Sequence, residues 1–444
     1  MSADPRTPRA TAPEKIDIEV GYRGLGGRPD RIEQRSVEPE AGDAPPWDLR
    51  TKYSVVGTDL DRVDAIAKAS GRAKYAYDIT FPGLQQAMIL RSTVARGVLT
   101  GLELDEARRM PGILAVVPLK EVGNRVRFVG DAIAAVAGRT LDLVRDALEK
   151  IRATYDAEAH VVDYRESPDL PRLGADGQID DPWPADEKVD AALAAEATSQ
   201  TATYRTAVQT HSSLETHGGV AKWDGDDLEV WLSTQATFGC RAELARGLNA
   251  KGVNVQNLTI HAEFVGGGFG SKFTAGIEGL AVALLAREAK APVKLMLDRF
   301  EEHTTTGNRP GALMQVRAGV DAQGVLTAWD WRSFGLTGFT GQGGAVRVPN
   351  SYAGKAATRE SHKDIAADTD PARPMRAPGY PQGYFGAELF LDELAAKAGI
   401  DPLAFRLQND SDQIRQDQWQ FGAERFGWAE ARARVVDPDA RYRT

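Results

Sequence analysis

Eight residues near the middle of the chain, Val265-Gly266-Gly267-Gly268-Phe269-Gly270-Ser271-Lys272, have the composition of a turn built to face a ligand. Glycine carries no Cβ, so backbone N–H groups at such a turn can approach an electron-rich group closely. The apolar run Val255 to Val265 predicts a strand leading in, and the Ala/Leu-rich run Ile277 to Lys290 predicts a helix leading away. Neither phosphate fingerprint fits. Lys272 follows Ser271 where a P-loop has glycine before its lysine, and the last glycine of the dinucleotide pattern falls on Ser271. Local chemistry alone weighs equally a plain tight turn packing a strand on a helix. A second turn, Met375-Arg376-Ala377-Pro378-Gly379-Tyr380-Pro381-Gln382, opens an expected helix from about Gly383 to Ala398. Asp401 and Pro402 then cap and begin another.

Composition limits the chemistry. Cys240 is the single cysteine of 444 residues, which excludes an intrachain disulfide and an iron–sulfur cluster held by the chain's own thiols. The six histidines are scattered, with His211 and His217 at the wrong spacing for a helical zinc pair, so no protein-held metal site is expected. The formal charge of −9 argues against nucleic-acid binding. No run approaches the ~20 apolar residues of a membrane span, and the N-terminus lacks the apolar core of a secretory signal. The expected location is cytoplasmic, with periplasmic co-export on a partner's signal as the alternative.

These turns need a scaffold. Residues 1–50, rich in Pro, Arg, Asp and Glu, predict an extended arm or linker. Short strands are expected at 75–79, 86–90, 112–118 and 132–138. A helix is expected to end near Pro111-Gly112, and another to cover 141–155, making a compact α+β domain over 51–165. Residues 166–188, dense in Pro, Gly and Asp, predict a linker. Beyond it come a short helix at 189–196 and strands at 201–208, 219–223 and 229–233, the last two joined by a hairpin turn at Trp223-Asp224-Gly225-Asp226-Asp227. A helix is expected at 241–248, with further strands at 293–297 and 325–333 and a glycine-rich loop at 337–344.

Taken in order, the motifs resemble the molybdopterin-binding large subunit of the xanthine dehydrogenase/aldehyde oxidase family. Asp61-Arg62-Val63-Asp64, Gly71-Arg72-Ala73-Lys74-Tyr75, Ile89-Leu90-Arg91-Ser92 and Val129-Gly130-Asp131 look like its N-terminal hammerhead domain. Glu215-Thr216-His217, Ser233-Thr234-Gln235, the glycine turn, Pro292-Val293-Lys294, Gly307-Asn308-Arg309-Pro310 and the Met375 turn look like its first cofactor-binding domain, here expected over 189–444. The stretch from Asp392 to Asp410 is most similar to the bacterial aldehyde oxidoreductase branch. The fold class implied is mixed α+β.

The resemblance implies a molybdenum ion held by a pterin, in a dinucleotide form, rather than by protein side chains. It implies hydroxylation of an aldehyde or N-heterocycle carbon with oxygen from water, a glutamate taking up the proton. Electrons would leave through [2Fe–2S] centres and FAD on partner subunits. Residue by residue, Gln235 matches an amide donor beside the metal's oxo group. Gly267, Gly268, Phe269 and Gly270 match the turn facing metal and pterin, with Phe269 walling the substrate cavity. Arg376 matches a cation contacting cofactor or an anionic substrate.

Two departures stand out. Phe273 occupies the position where xanthine-type enzymes carry a substrate-binding glutamate, which favours aldehydes or aromatic substrates. The sequence also ends at Thr444, before the family's second cofactor-binding domain and its general-base glutamate. Two readings follow: a hydroxylase half completed by a chain carrying that domain, and inactive without it, or a non-catalytic fragment. A free nucleotide-binding module is the least supported reading, since neither phosphate fingerprint fits. The half-enzyme reading implies an exposed apolar face near Phe269, Phe273, Phe334 and Phe339.

Overall fold

The computed structural model describes residues 15–22, 29–38, 48–196, 198–347, 351–352, 354 and 356–433. The chain forms two compact units, Ile66–Phe405 on one hand and Met1–Ala65 with Arg406–Thr444 on the other. In the smaller unit, strands Ile16–Tyr22 and Arg31–Val37 pair antiparallel, from Ile16 opposite Val37 to Tyr22 opposite Arg31. The arm expected over 1–50 is therefore partly an antiparallel pair of strands, in the first of which Ile16, Ile18 and Val20 alternate with polar residues at the period of a strand. Its Pro-rich stretches lie mostly outside the described residues. Helix Gln413–Phe426, capped by Asp412 accepting from Arg415 N, ends at Gly427 in the left-handed region.

The larger unit is mixed α+β, as the sequence implies. Its central sheet has seven strands in the order Asn257–His261, Asp227–Leu232, Gly218–Asp224, Val293–Met296, Gln85–Arg91, Ala132–Gly138, Ile113–Pro118. Val293–Met296 runs parallel to Gln85–Arg91, with Val293 opposite Gln85, so one sheet crosses the expected boundary between the 51–165 and 189–444 domains. Helix Gly276–Ala289 lies on this sheet and buries Ala281 through Ala286 in one core cluster with Ala87, Val230 and Leu295. Each fully buried Leu or Val there contributes roughly 1.5–3 kcal/mol.

A second sheet runs Ala357–Ile365, Leu326–Leu336, Gly311–Val320, Thr198–Thr206. Helix Tyr380–Lys397 packs on it, Phe390 meeting Trp329 edge-on at 5.7 Å between ring centroids. Gly386 sits where an added Cβ would lie 3.2 Å from the Trp331 ring, which lets the helix approach closely.

Several local expectations change. The helix expected at 141–155 stops at Glu149, and Arg152–Ala157 is a strand paired with Gly97–Glu103. Its β-branched and aromatic Thr154 and Tyr155 take the edge that Gly97–Glu103 offers. Residues 75–79 form a 3-10 turn, Ala76–Asp78, because the Asp78 side chain accepts from Tyr75 N at 3.1 Å. The strand before the glycine turn ends early, at His261. The 166–188 segment is not a free linker. Arg332 donates to the carbonyls of Ile179 (3.1 Å) and Asp181 (2.8 Å), Trp183 lies under the Arg332 guanidinium at 4.3 Å, and Leu170 and Ile179 are buried.

Candidate functional site

The glycine turn is shaped by one strained residue and two close approaches. Phe269 has φ +54, a left-handed conformation costly for an aromatic residue. An added Cβ at Gly268 would lie 2.5 Å from Gln235 Oε1, and at Gly270, with φ +119, 2.3 Å from the Pro374 carbonyl oxygen. Both positions accept glycine alone without rearrangement. Strain of this kind persists where surrounding contacts over-determine it.

Those contacts join the two turns that the sequence singles out. Gly270 N donates to Gln235 Oε1 at 2.8 Å, and Arg376 N donates to Phe269 O at 2.7 Å. Arg309 underpins the second turn, its guanidinium donating to the carbonyls of Arg376 (2.7 Å) and Ala377 (3.3 Å). Ala377, at φ +58, carries further left-handed strain. Gln235, Gly267, Gly268, Phe269, Gly270 and Arg376 thus come together, the Arg376 turn from more than 100 positions beyond the other two segments.

Beneath the turn lies a buried tripod to which the sequence reading gave no role. Lys272, fully buried, donates from Nζ to Glu215 O and Ser233 Oγ, both at 2.7 Å. Ser233 Oγ donates to Glu215 Oε2 at 2.8 Å, and the same oxygen accepts from Gly266 N at 2.7 Å. Lys272 O accepts from Gln235 N at 2.8 Å. Burial pushes the Lys272 ammonium below its ordinary pKa, against the attraction of Glu215 and Glu302. Next to it, Glu302 is buried and accepts from His217 N (2.8 Å) and meets His217 Nδ1 (2.9 Å). Burial raises the Glu302 carboxyl, but the bonds from His217 outweigh it and hold the pKa below the usual value. The Glu215-Thr216-His217 and Ser233-Thr234-Gln235 motifs carried the signal for this layer; a lysine directly after a glycine turn reads as a surface residue.

The donor set suits an oxygen- and sulfur-bearing group. Among the described residues the amides of Gly267, Gly268 and Phe269 have no hydrogen-bond acceptor. With Oε1 taken by Gly270 N, Gln235 presents Nε2 as its available donor. The exposed Arg376 side chain has no acidic partner among the described residues. No cluster of three or more His, Cys, Asp or Glu is placed to hold a metal ion among the described residues. A metal carried by an organic ligand fits the turn's hydrogen-bond donors better than one bound by side chains.

The apolar face differs from expectation. Phe269 and Phe273 are exposed, but Phe334 packs beside Leu313, and Phe339 stacks on Phe128 at 5.8 Å under the Arg127 guanidinium. Leu214, Phe238 and Phe300 are instead exposed, all by more than 70%. Leu214 follows Ser213, which flanks Gly267, and Arg299 donates to the carbonyls of Ser213 and Leu214.

Comparison with known proteins shows the family. Residues 177–410 match the model of the molybdopterin cofactor-binding domain, and the chain belongs to that family. Its curated relatives are molybdenum-binding subunits of aldehyde oxidoreductases and of xanthine and nicotinate dehydrogenases. The aldehyde oxidoreductase molybdenum-binding subunit of Escherichia coli is 33% identical over 418 residues, 86% of this chain and 56% of that one. The nicotinate dehydrogenase large molybdopterin subunit of Eubacterium barkeri is 31% identical over 394 residues, 80% of this chain and 89% of that one. The fold is shared with quinoline 2-oxidoreductase of Pseudomonas putida 86, at a TM-score of 0.69 and 20% identity, covering 85% of this chain and 56% of that one. The chain thus spans about half the length of several relatives and nearly all of another.

Proposed function

We propose that this chain is the molybdopterin-binding part of a molybdenum hydroxylase that oxidises aldehydes or aromatic and N-heterocyclic substrates with water as the oxygen source. The observation that carries the reading is the hydrogen-bonded junction of the two turns, Gly270 N to Gln235 Oε1 and Arg376 N to Phe269 O. When bound, the molybdenum–pterin group supplies a two-electron acceptor and a Lewis acid. The chain's own residues bind and orient. The amides of Gly267, Gly268 and Phe269 hold electron-rich atoms of the cofactor, and Gln235 Nε2 donates to an oxygen that gains negative charge during reaction. Arg376 neutralises an anionic part of cofactor or substrate. Phe269 and Phe273 form an apolar wall that takes the substrate ring and excludes water, and neither can accept a hydrogen bond from a purine.

On this reading a second cofactor-binding domain supplies the proton acceptor and the remaining cofactor contacts. The Eubacterium barkeri subunit, of nearly matching extent, supports a chain of this size acting as one subunit among several. Within that assembly, an iron–sulfur subunit and a flavin subunit receive the electrons, the pterin is a dinucleotide, the 51–165 and 189–444 segments act as hammerhead and cofactor domains, and the complex is cytoplasmic. No helix among the described residues is long and apolar enough to cross a membrane.

The test is co-purification of the tagged chain from its host, with molybdenum, iron and pterin quantified and aldehyde oxidation assayed with an artificial electron acceptor. Stoichiometric molybdenum and turnover in the complex are expected. A complex that retains no molybdenum would leave the non-catalytic fragment as the reading.

A further inference from the structure

Arg309 is a buried cation that pairs with no carboxylate among the described residues. A buried charge without a counter-ion is costly unless dipoles replace its water shell. Three oxygens do so here. Nη2 donates to Arg376 O at 2.7 Å, and Nη1 donates to Ala377 O and Gln382 Oε1, both at 3.3 Å. Burial alone pulls the guanidinium below its ordinary pKa. The backbone that carries this cation is itself fixed. Arg309 lies opposite Gln209 in an antiparallel pair, Asn308 O accepts from Arg373 N at 3.0 Å, and Gln382 Nε2 donates to Pro310 O at 3.2 Å.

What the cation holds is the main chain of a site residue. Arg376 is tied at both of its backbone groups, its N–H to Phe269 O at 2.7 Å and its carbonyl to Arg309. Two left-handed residues flank that junction, Phe269 at φ +54 and Ala377 at φ +58. Neither conformation suits a residue with a Cβ, so contacts from outside each residue hold it. A planar guanidinium spans two successive carbonyls and an amide oxygen at once. A lysine ammonium, a point charge on a flexible stem, does not fix the angle between them. Resting on the hydroxylase reading, we propose that Arg309 is a positioning residue of the site. It fixes the Arg376 and Ala377 carbonyls and, through the bond from Arg376 N to Phe269 O, sets the place of the Phe269 wall.

Arg309→Lys keeps the charge and removes the fork. In the assembled enzyme it should raise KM for benzaldehyde about tenfold, the scale of one hydrogen bond to a charged group, while kcat and molybdenum content stay within about twofold of the parent. A role in folding alone would lower molybdenum content and turnover together and leave KM unchanged, and that result overturns the inference. Hydrogen exchange read by mass spectrometry on the full 444-residue chain needs no cofactor. Exchange across 265–270 and 374–379 should quicken about tenfold in the variant, with strand Val293–Met296 unaltered. Unchanged exchange at the two turns overturns the inference, and so does equal quickening in the strand, which marks general destabilisation. Should Arg309→Lys fail to fold, Gln382→Met, which takes one acceptor from the guanidinium, stands in for it, and unchanged exchange at the turns there is equally fatal. A complex without molybdenum removes the hydroxylase reading and leaves the exchange measurement to decide whether Arg309 sets the turns.

Discussion

The direction of one side-chain amide governs what the turn can do. Because Gly270 N fixes Gln235 Oε1, Nε2 is the group left to donate. In the assembled enzyme Gln235→Ala should lower turnover by about 10²-fold, the scale for losing one such donor, while molybdenum content holds. Phe269→Ala should chiefly raise KM by loosening the substrate wall, so steady-state kinetics of the two variants separate the roles. Unaltered kinetics in both would remove these residues from the site. Asp370 gives a pH signature at the same scale. Burial raises its carboxyl pKa to about 6, against the hydrogen bond from Gly307 N. A raised folded pKa stabilises below the ordinary aspartate value of 3.8, and that contribution is lost as pH rises through about 6. Asp370→Asn keeps an acceptor for Gly307 N and removes the titration. Relative to the parent it should gain about 2 kcal/mol between pH 4 and pH 7, measured by urea unfolding. A difference that is flat with pH would refute this.

At the scale of elements, the tripod of Lys272, Ser233 and Glu215 ties three chain segments together under the turn. Lys272→Met keeps the volume but leaves Glu215 O and Ser233 Oγ short of a buried donor, a cost of about 2–4 kcal/mol. Thermal unfolding should show the loss, and hydrogen exchange at Gly266–Gly270 should quicken; normal protection there would argue that the turn holds its own shape. The sequence made the two turns and most regular elements legible, since glycine, proline and apolar period act locally. It left the tripod illegible, because Lys272 and Glu215 look like surface charges until the fold buries them. The helix at 141–155 went astray at its end for a related reason. Ile151 fits the helical spacing of Val144 and Leu148, yet pairing with Gly97–Glu103, remote in sequence, decides the conformation from Arg152 onward. Trp183 likewise anchors a segment whose Pro, Gly and Asp content reads as free chain.

At the scale of the whole molecule, Leu214, Phe238, Phe269, Phe273 and Phe300 are exposed apolar side chains. Expressed alone, the chain should self-associate, and a chain carrying the second cofactor domain should restore a discrete species, as light scattering during size-exclusion chromatography would report. On the proposed reading, in which a second cofactor-binding domain supplies the general base, the chain alone should also show no hydroxylase turnover, since such catalysis commonly supplies about 10²–10⁴-fold. Robust aldehyde oxidation by the pure chain would contradict that.

The seven-stranded sheet sets a timetable for synthesis. Gln85–Arg91 leaves the ribosome early, yet its neighbour Val293–Met296 follows some two hundred residues later. Until then the nascent N-terminal segment presents an open strand edge with unpaired N–H and C=O groups, a template for wrong pairing. A nascent chain halted near residue 165 would therefore bind chaperones and resist compaction, and one halted beyond residue 296 would be released from them.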